Sequence, residues 1–272
     1  MFNCSIVQKD KTMKLSKYIL ALIIVILITT TAQAKSVDTR LDGEINYWLA
    51  EFEGKVQVTE AAIVGTNIEL NTDLGIDDHE NIPNVTIAYR LFNAKLTASY
   101  FNVANKGSKS VTQQFNYKGD TYPVGTAVDS KLDLTVIEGK YSNRFLGTDY
   151  YDLYGQIGIK YAEISAELNT VTLGAKTQEI KAPIPFIGVA VELRPFYNMF
   201  NFAISGDITG ISINIGDADF TLIDFTGAIS YDVFENLRVS AGYRYLSVDG
   251  ADGDDKAEAT YRGPFAAIVG SF

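Results

Sequence analysis

The side chains best suited to chemistry sit in three places. The only histidine, His79, stands in "GIDDHEN" beside Asp77, Asp78 and Glu80. An imidazole oriented by a carboxylate is the composition of a general base. No Gly-x-Ser-x-Gly or similar nucleophile context accompanies it, so a solvated histidine in an acidic loop is the reading the residues favour. The run "DGADGDD" carries Asp249, Asp252, Asp254 and Asp255. Calcium loops place aspartates at alternate positions and close with a glutamate at position twelve, and this spacing departs from that pattern. The third set is a series of charges in mid-strand: Arg90, Lys95, Asp152, Lys160, Glu192, Asp207, Asp224, Arg238 and Arg244. Both signs are present, which suits mutual ion pairing better than attraction of one ligand. The sequence therefore assigns no catalytic, cofactor-binding or metal site.

These charges lie in segments that alternate with a period of two. In "DFTGAISYDV", Phe225, Gly227, Ile229, Tyr231 and Val233 oppose Asp224, Thr226, Ala228, Ser230 and Asp232. In "LRVSAGYRYL", Leu237, Val239, Ala241, Tyr243 and Tyr245 oppose Arg238, Ser240, Gly242 and Arg244. Successive strand side chains point to opposite faces, so these are amphipathic strands joined by the "FEN" turn. "VTIAYRL", "KLTASY", "YDLYGQIGIKYA", "PFIGVAVELR" and "FNFAISGDITG" read the same way. "GEINYWLAEF" is a first strand, Ala257–Phe272 the last, and "KLDLTVIEGKY" a fourth of ambiguous phase. About ten strands result, or twelve if residues 54–72 hold a further hairpin; eight is the lower bound. Short links fall near Asn93, at 144–149, at 195–199 and at "FEN". Longer polar links fall near 54–82, 106–129, 166–179 and 249–256.

Alternation does not say which face is inside. Four features favour an apolar exterior. Both signs of charge recur on the polar face and none on the apolar one, where each would cost roughly 2–4 kcal/mol in lipid. Tyr151, Tyr161, Phe200, Tyr231, Tyr243 and Tyr245 gather toward strand ends on the apolar face, as at a membrane–water boundary. A strand of ~10 residues, tilted, matches an apolar band of ~25 Å. Residues 1–34 place Lys14 and Lys17 before "YILALIIVILI" and end in "AQA", a secretory signal peptide, with Met13 a plausible alternative start. Cleavage there removes Cys4, the only cysteine, and with it thiol and disulfide chemistry. The net charge of −10 argues against nucleic-acid binding.

The expected fold is thus a single antiparallel transmembrane β-barrel over residues 35–272. No open edge is tolerated in lipid, so the last strand must pair with the first. The closing "GPFAAIVGSF" resembles the signal read by the barrel-assembly machinery, a final strand ending in an aromatic residue, here Phe272. Together with "NTDLGIDDHENIPNVTIAYRL" and the "FEN" hairpin it resembles a family of small proteobacterial outer-membrane β-barrel proteins of unsettled activity. The resemblance is strongest at "DLGIDD" and the C-terminus, and loose over 106–180. It implies location in a bacterial outer membrane, with lipid and lipopolysaccharide around a monomeric barrel. Related barrels include rim enzymes that use histidine with acidic partners, which is the context in which His79 matters. The expected role is non-enzymatic, structural or surface-interacting, with side chains filling the lumen. A narrow channel for polar solutes is the alternative, and a rim-located hydrolase the second.

Overall fold

The structure, a computed structural model, describes residues 39–272 apart from 58, 60–65, 113, 118–119, 172–173, 196–200 and 216. The signal-peptide region, Phe200 and most of the 195–199 link lie outside the described residues. Ten long strands follow in antiparallel order: β1 (Arg40–Gln57), β3 (His79–Leu91), β4 (Ala94–Ser110), β7 (Ala127–Gly147), β8 (Tyr151–Thr170), β9 (Gly174–Leu193), β10 (Phe202–Ile215), β11 (Ala218–Phe234), β12 (Leu237–Asp252) and β13 (Asp255–Ser271). β13 pairs with β1 from Asp42↔Ser271 to Gln57↔Lys256 and closes the barrel. Leu41 and Phe272 continue the seam, each donating its N–H to the other's carbonyl at 3.0 and 2.8 Å. Between the long strands lie β2 (Ile68–Glu69), helix α1 (Leu70–Leu74) and the hairpin β5 (Phe115–Tyr117) with β6 (Asp120–Tyr122). The proximal end below carries Arg40 and Phe272; the distal end carries α1 and the small hairpin.

The strands are longer than a membrane requires. β7 has 21 residues; at ~3.3 Å per residue and a tilt of ~40° it rises roughly 50 Å, about twice the apolar band of a membrane barrel. Polarity answers to this length. In the proximal half the outer wall is apolar: Ile45, Tyr47, Ile87, Tyr89, Ile159, Ile187, Val189, Ile229 and Ile268 are all exposed. The lumen there is polar. In the distal half the arrangement inverts. On β7 the inward side chains are Leu132, Leu134 and Val136 distally, then Glu138, Lys140 and Ser142. The outward ones are Lys131, Asp133 and Thr135, then Ile137, Gly139 and Tyr141. The same switch falls between Trp48 and Asn46 on β1, Phe101 and Ser99 on β4, Ala162 and Lys160 on β8, and Leu246 and Arg244 on β12. Each half obeys the same rule for its own solvent: apolar side chains avoid water, outward into lipid or inward into a core.

The distal core is an apolar cluster within the barrel. Trp48, Phe52, Phe101, Val103, Leu132, Leu134, Val136, Leu168, Leu246, Tyr261 and Phe265 come from the wall. Ile68, Leu70, Leu74, Ile76, Phe115, Tyr117 and Tyr122 come from the inserted elements. Tyr122 stacks on Phe115 at 4.8 Å, and burial pushes the Tyr117 phenol up to about 12. The "DLGIDD" stretch is the anchor of this plug. Leu74 and Ile76 are buried, each worth about 1.5–3 kcal/mol on full burial. Gly75 ends α1 at φ 66 and returns its N–H to the Leu70 carbonyl. Gly107 lies against that turn so closely that a Cβ would come within 2.6 Å of the Gly75 backbone. The extra hairpin considered for residues 54–72 is therefore β2 with α1. Most of the 166–179 and 249–256 links are strand ends, and Asp252 faces Asp255 across the second turn.

The wall is not zipped throughout. β9 pairs with β8 along its whole length, from Thr170↔Gly174 to Tyr151↔Leu193. With β10 it pairs only from Ile204↔Leu193 to Gly210↔Ile187. Beyond Ile187 come Pro185 and Pro183, which have no N–H. Their pairing with β8 is unbroken, so the missing donors are those that would face β10. The wall parts at that point, near the distal boundary of the apolar band, and Ile184, Leu222 and Ile211 seal the seam from inside.

Candidate functional site

Among the described residues, titratable side chains from every part of the wall converge in the proximal lumen. Its upper layer centres on Asp224, 6% exposed. The Arg244 guanidinium donates to both of its oxygens, at 3.1 and 2.8 Å. Lys160 donates to Asp224 at 3.0 Å and also to Glu138. Such bidentate, charge-assisted contacts are the strong class of hydrogen bond. Arg244 also lies under the rings of Trp48 and Phe101, at 4.9 and 5.2 Å, and Lys160 under Phe186 at 4.8 Å. These cations mark where the polar lumen meets the apolar plug. Trp48 completes the boundary by donating its indole N–H to the Gly263 carbonyl at 3.1 Å.

Below this layer, Asp207 accepts from Lys140 at 2.9 Å and Gln156 at 2.7 Å. Asp42 at the closing seam accepts from Arg40 and Arg90, both at 2.9 Å, and from the Ser271 hydroxyl at 2.7 Å. Asp152 accepts from Arg144 at 3.1 Å and from Arg194, which also reaches Glu192 at 3.2 Å. Arg238 holds Asp232 at 2.6 Å. Between these groups remains a cavity of about 300 Å³, space for on the order of ten waters. Its lining includes Arg40, which also borders a depression at the proximal mouth with Asn201, Asp232 and Asn236. The mid-strand charges read from the sequence, Arg90, Lys95, Asp207, Asp224, Arg238 and Arg244 among them, all belong to this lumen.

The other two groups lie elsewhere. His79 begins β3 on the outer wall opposite Glu51, with its side chain 76% exposed. Its Nδ1 is 2.6 Å from Asp78 Oδ1. That hydrogen bond raises the histidine pKa and lowers that of Asp78. Glu80, the next residue, turns inward instead and accepts from the Asn105 amide at 3.1 Å. The Asp249–Asp255 run forms the β12–β13 hairpin, with Asp252 opposite Asp255 and Gly253 at φ 60 in the turn. Asp255 accepts the Thr59 N–H at 2.6 Å. Among the described residues no three acidic, histidine or cysteine side chains are placed to hold a metal ion.

A closed ten-stranded antiparallel wall with lipid-facing apolar side chains and a charged lumen defines a transmembrane β-barrel of the outer-membrane kind. No family model and no curated protein sequence matches the chain. Solved structures do match in fold. The outer membrane protease OmpT from Escherichia coli is similar at 11% identity and a TM-score of 0.56, over 90% of this chain and 99% of that one. The attachment invasion locus protein Ail of Yersinia pestis is 10% identical at a TM-score of 0.37, over 85% and 99% of the two chains. Neisserial surface protein A is 11% identical at 0.32, over 88% and 100%. At these identities the likeness to OmpT is one of fold.

Proposed function

We propose that the protein is a non-conducting, non-enzymatic outer-membrane barrel that carries a rigid β-structured surface beyond the membrane. The observation that supports this is the plug. Above the Arg244 layer the lumen is occupied by aromatic and aliphatic side chains from the wall, α1 and the β5–β6 hairpin. Among the described residues the polar groups of this core, Asn105 and Ser130, are buried and bonded to Glu80 and to the Leu74 carbonyl, and apolar side chains surround them, a poor path for ions. The proximal end, with its short turns, faces the periplasm in this reading, and the distal strands stand at the cell surface. Export follows from the signal peptide at residues 1–34. Insertion proceeds through the assembly machinery acting on the strand that ends at Phe272, and the monomer sits among lipid and lipopolysaccharide. The His79–Asp78 pair serves here as a solvated surface group, with its side chains 76% and 70% exposed.

Recording from the refolded protein in planar bilayers tests the reading. The expected result is a flat baseline at applied voltages that resolve the unit steps of known porins. Reproducible unit conductance would replace the scaffold with the narrow channel.

A further inference from the structure

The ion pairs of the proximal lumen leave two opposite charges over. On the wall formed by β1, β3 and β4, paired inward residues make successive rows. Arg40, Arg90 and Lys95 form one row, Asp42, Ala88 and Thr97 the next, then Glu44, Thr86 and Ser99, then Asn46 with Asn84. Paired residues on neighbouring strands lie ~5 Å apart at Cβ, and alternate residues along a strand ~6.6 Å apart. Arg40 and Arg90 are committed to Asp42. Lys95 has no hydrogen bond and no ion pair within 4 Å among the described residues, and neither has Glu44 one row beyond Asp42; Glu44 and Glu192 act on Lys95 only across open space. Both border the cavity of about 300 Å³. Asn46, only 9% exposed, presents a buried Oδ1 without a partner, and Thr97 Oγ1 between the two charges is likewise unpartnered. A buried acceptor left unmade costs about 1–3 kcal/mol.

We infer that this wall binds a small zwitterion of the amino-acid type, reached from the proximal mouth. Its carboxylate sits on Lys95, reinforced by the neighbouring Arg90. Its ammonium donates to Glu44 and the Asn46 carbonyl oxygen, and the Thr97 hydroxyl, one row from Lys95 on the same strand, donates to the carboxylate. A simple anion would satisfy Lys95 and leave Glu44 and Asn46 as they are. A simple cation would do the converse. The zwitterion alone answers both charges and the orphaned groups, at a separation of two strand rows and two strands that favours a carboxylate and ammonium set several bonds apart.

The test uses the full barrel in lipid nanodiscs, titrated calorimetrically with 5-aminovalerate, glycine, acetate and methylammonium. Saturable binding of 5-aminovalerate is expected, at least tenfold tighter than acetate or methylammonium. Lys95→Met and Glu44→Gln should each weaken it tenfold or more, with Lys95→Gln as a more conservative second variant. Unchanged heat-modifiable gel mobility establishes that each variant is folded. No saturable binding to the folded wild type, binding of acetate that Glu44→Gln leaves unaltered, or binding indifferent to both substitutions would each overturn the assignment.

Discussion

Replacing Asp224 by alanine is expected to lower the unfolding free energy of the lipid-embedded barrel by about 3–5 kcal/mol. The carboxylate is buried and is the shared acceptor of Arg244 and Lys160. Its removal strands a guanidinium between Trp48, Phe101 and an empty site. Lys160 keeps only Glu138. The penalty comes from the cations left behind more than from the lost attraction, so Asp224→Ala combined with Arg244→Met should recover much of it. Urea titration of the protein folded into vesicles, followed by gel mobility and fluorescence, measures both. A single variant within ~1 kcal/mol of wild type would mean that water enters the upper lumen freely and solvates Arg244 there.

The second large effect concerns arginine substitutions, whose cost should depend on which side of the polarity switch they fall. Val189 faces lipid in the proximal wall, and Val189→Arg should cost about 2–4 kcal/mol. Leu134 faces inward above the switch, inside the plug, and Leu134→Arg should cost upwards of ~3 kcal/mol by burying an unpaired charge. Ala104 faces outward above the switch, between Asn102 and Lys106, and Ala104→Arg should stay within ~0.5 kcal/mol. Outward is thus costly below and harmless above. A barrel with one lipid-facing wall along its full height would make Ala104→Arg as damaging as Val189→Arg. The same vesicle titrations distinguish these cases.

The polarity switch also explains what could be read from the residues alone. Within the membrane band one face is uniformly lipid-facing, so period-two alternation gave the correct orientation on β3, β8, β9, β11 and β12. Lys131–Tyr141 looked ambiguous because its phase inverts at Val136 and Ile137. The "GPFAAIVGSF" strand looked apolar on both faces because Phe265 and Ala267 line the top of the lumen while Ala266 and Ile268 face outward. The segments 166–179 and 249–256 resemble loops because their outer faces are polar, yet 166–170, 174–179, 249–252 and 255–256 are strand. The plug is hard to read from the residues for a related reason. Leu70, Leu74 and Ile76 make too short an apolar pattern to declare a helix inside a barrel. "DLGIDD" was marked only by resemblance, and its role is packing. The lumen charges were recognisable as a class. Glu44 on β1 is not in that class as read from the sequence, and that it and Lys95 lack close partners among the described residues depends on row-by-row register, which no single strand carries. The opening between β9 and β10 was written in Pro183 and Pro185, but only the neighbouring ladders show which edge lost its donors.

The inversion itself is open to one direct measurement, quenching of tryptophan emission by lipids brominated along their acyl chains. Trp48 is the only tryptophan and faces the lumen at the foot of the plug, 1% exposed. In the Trp48→Phe background, Val189→Trp places a single indole on the proximal outer wall, and Ala104→Trp places one on the distal outer wall. Strong quenching of the indole at 189, with emission at 104 and of native Trp48 largely preserved, is the expected result. Equal quenching at 189 and 104, or quenching of Trp48 above that at 189, would contradict a barrel whose polarity turns inside out where it leaves the membrane.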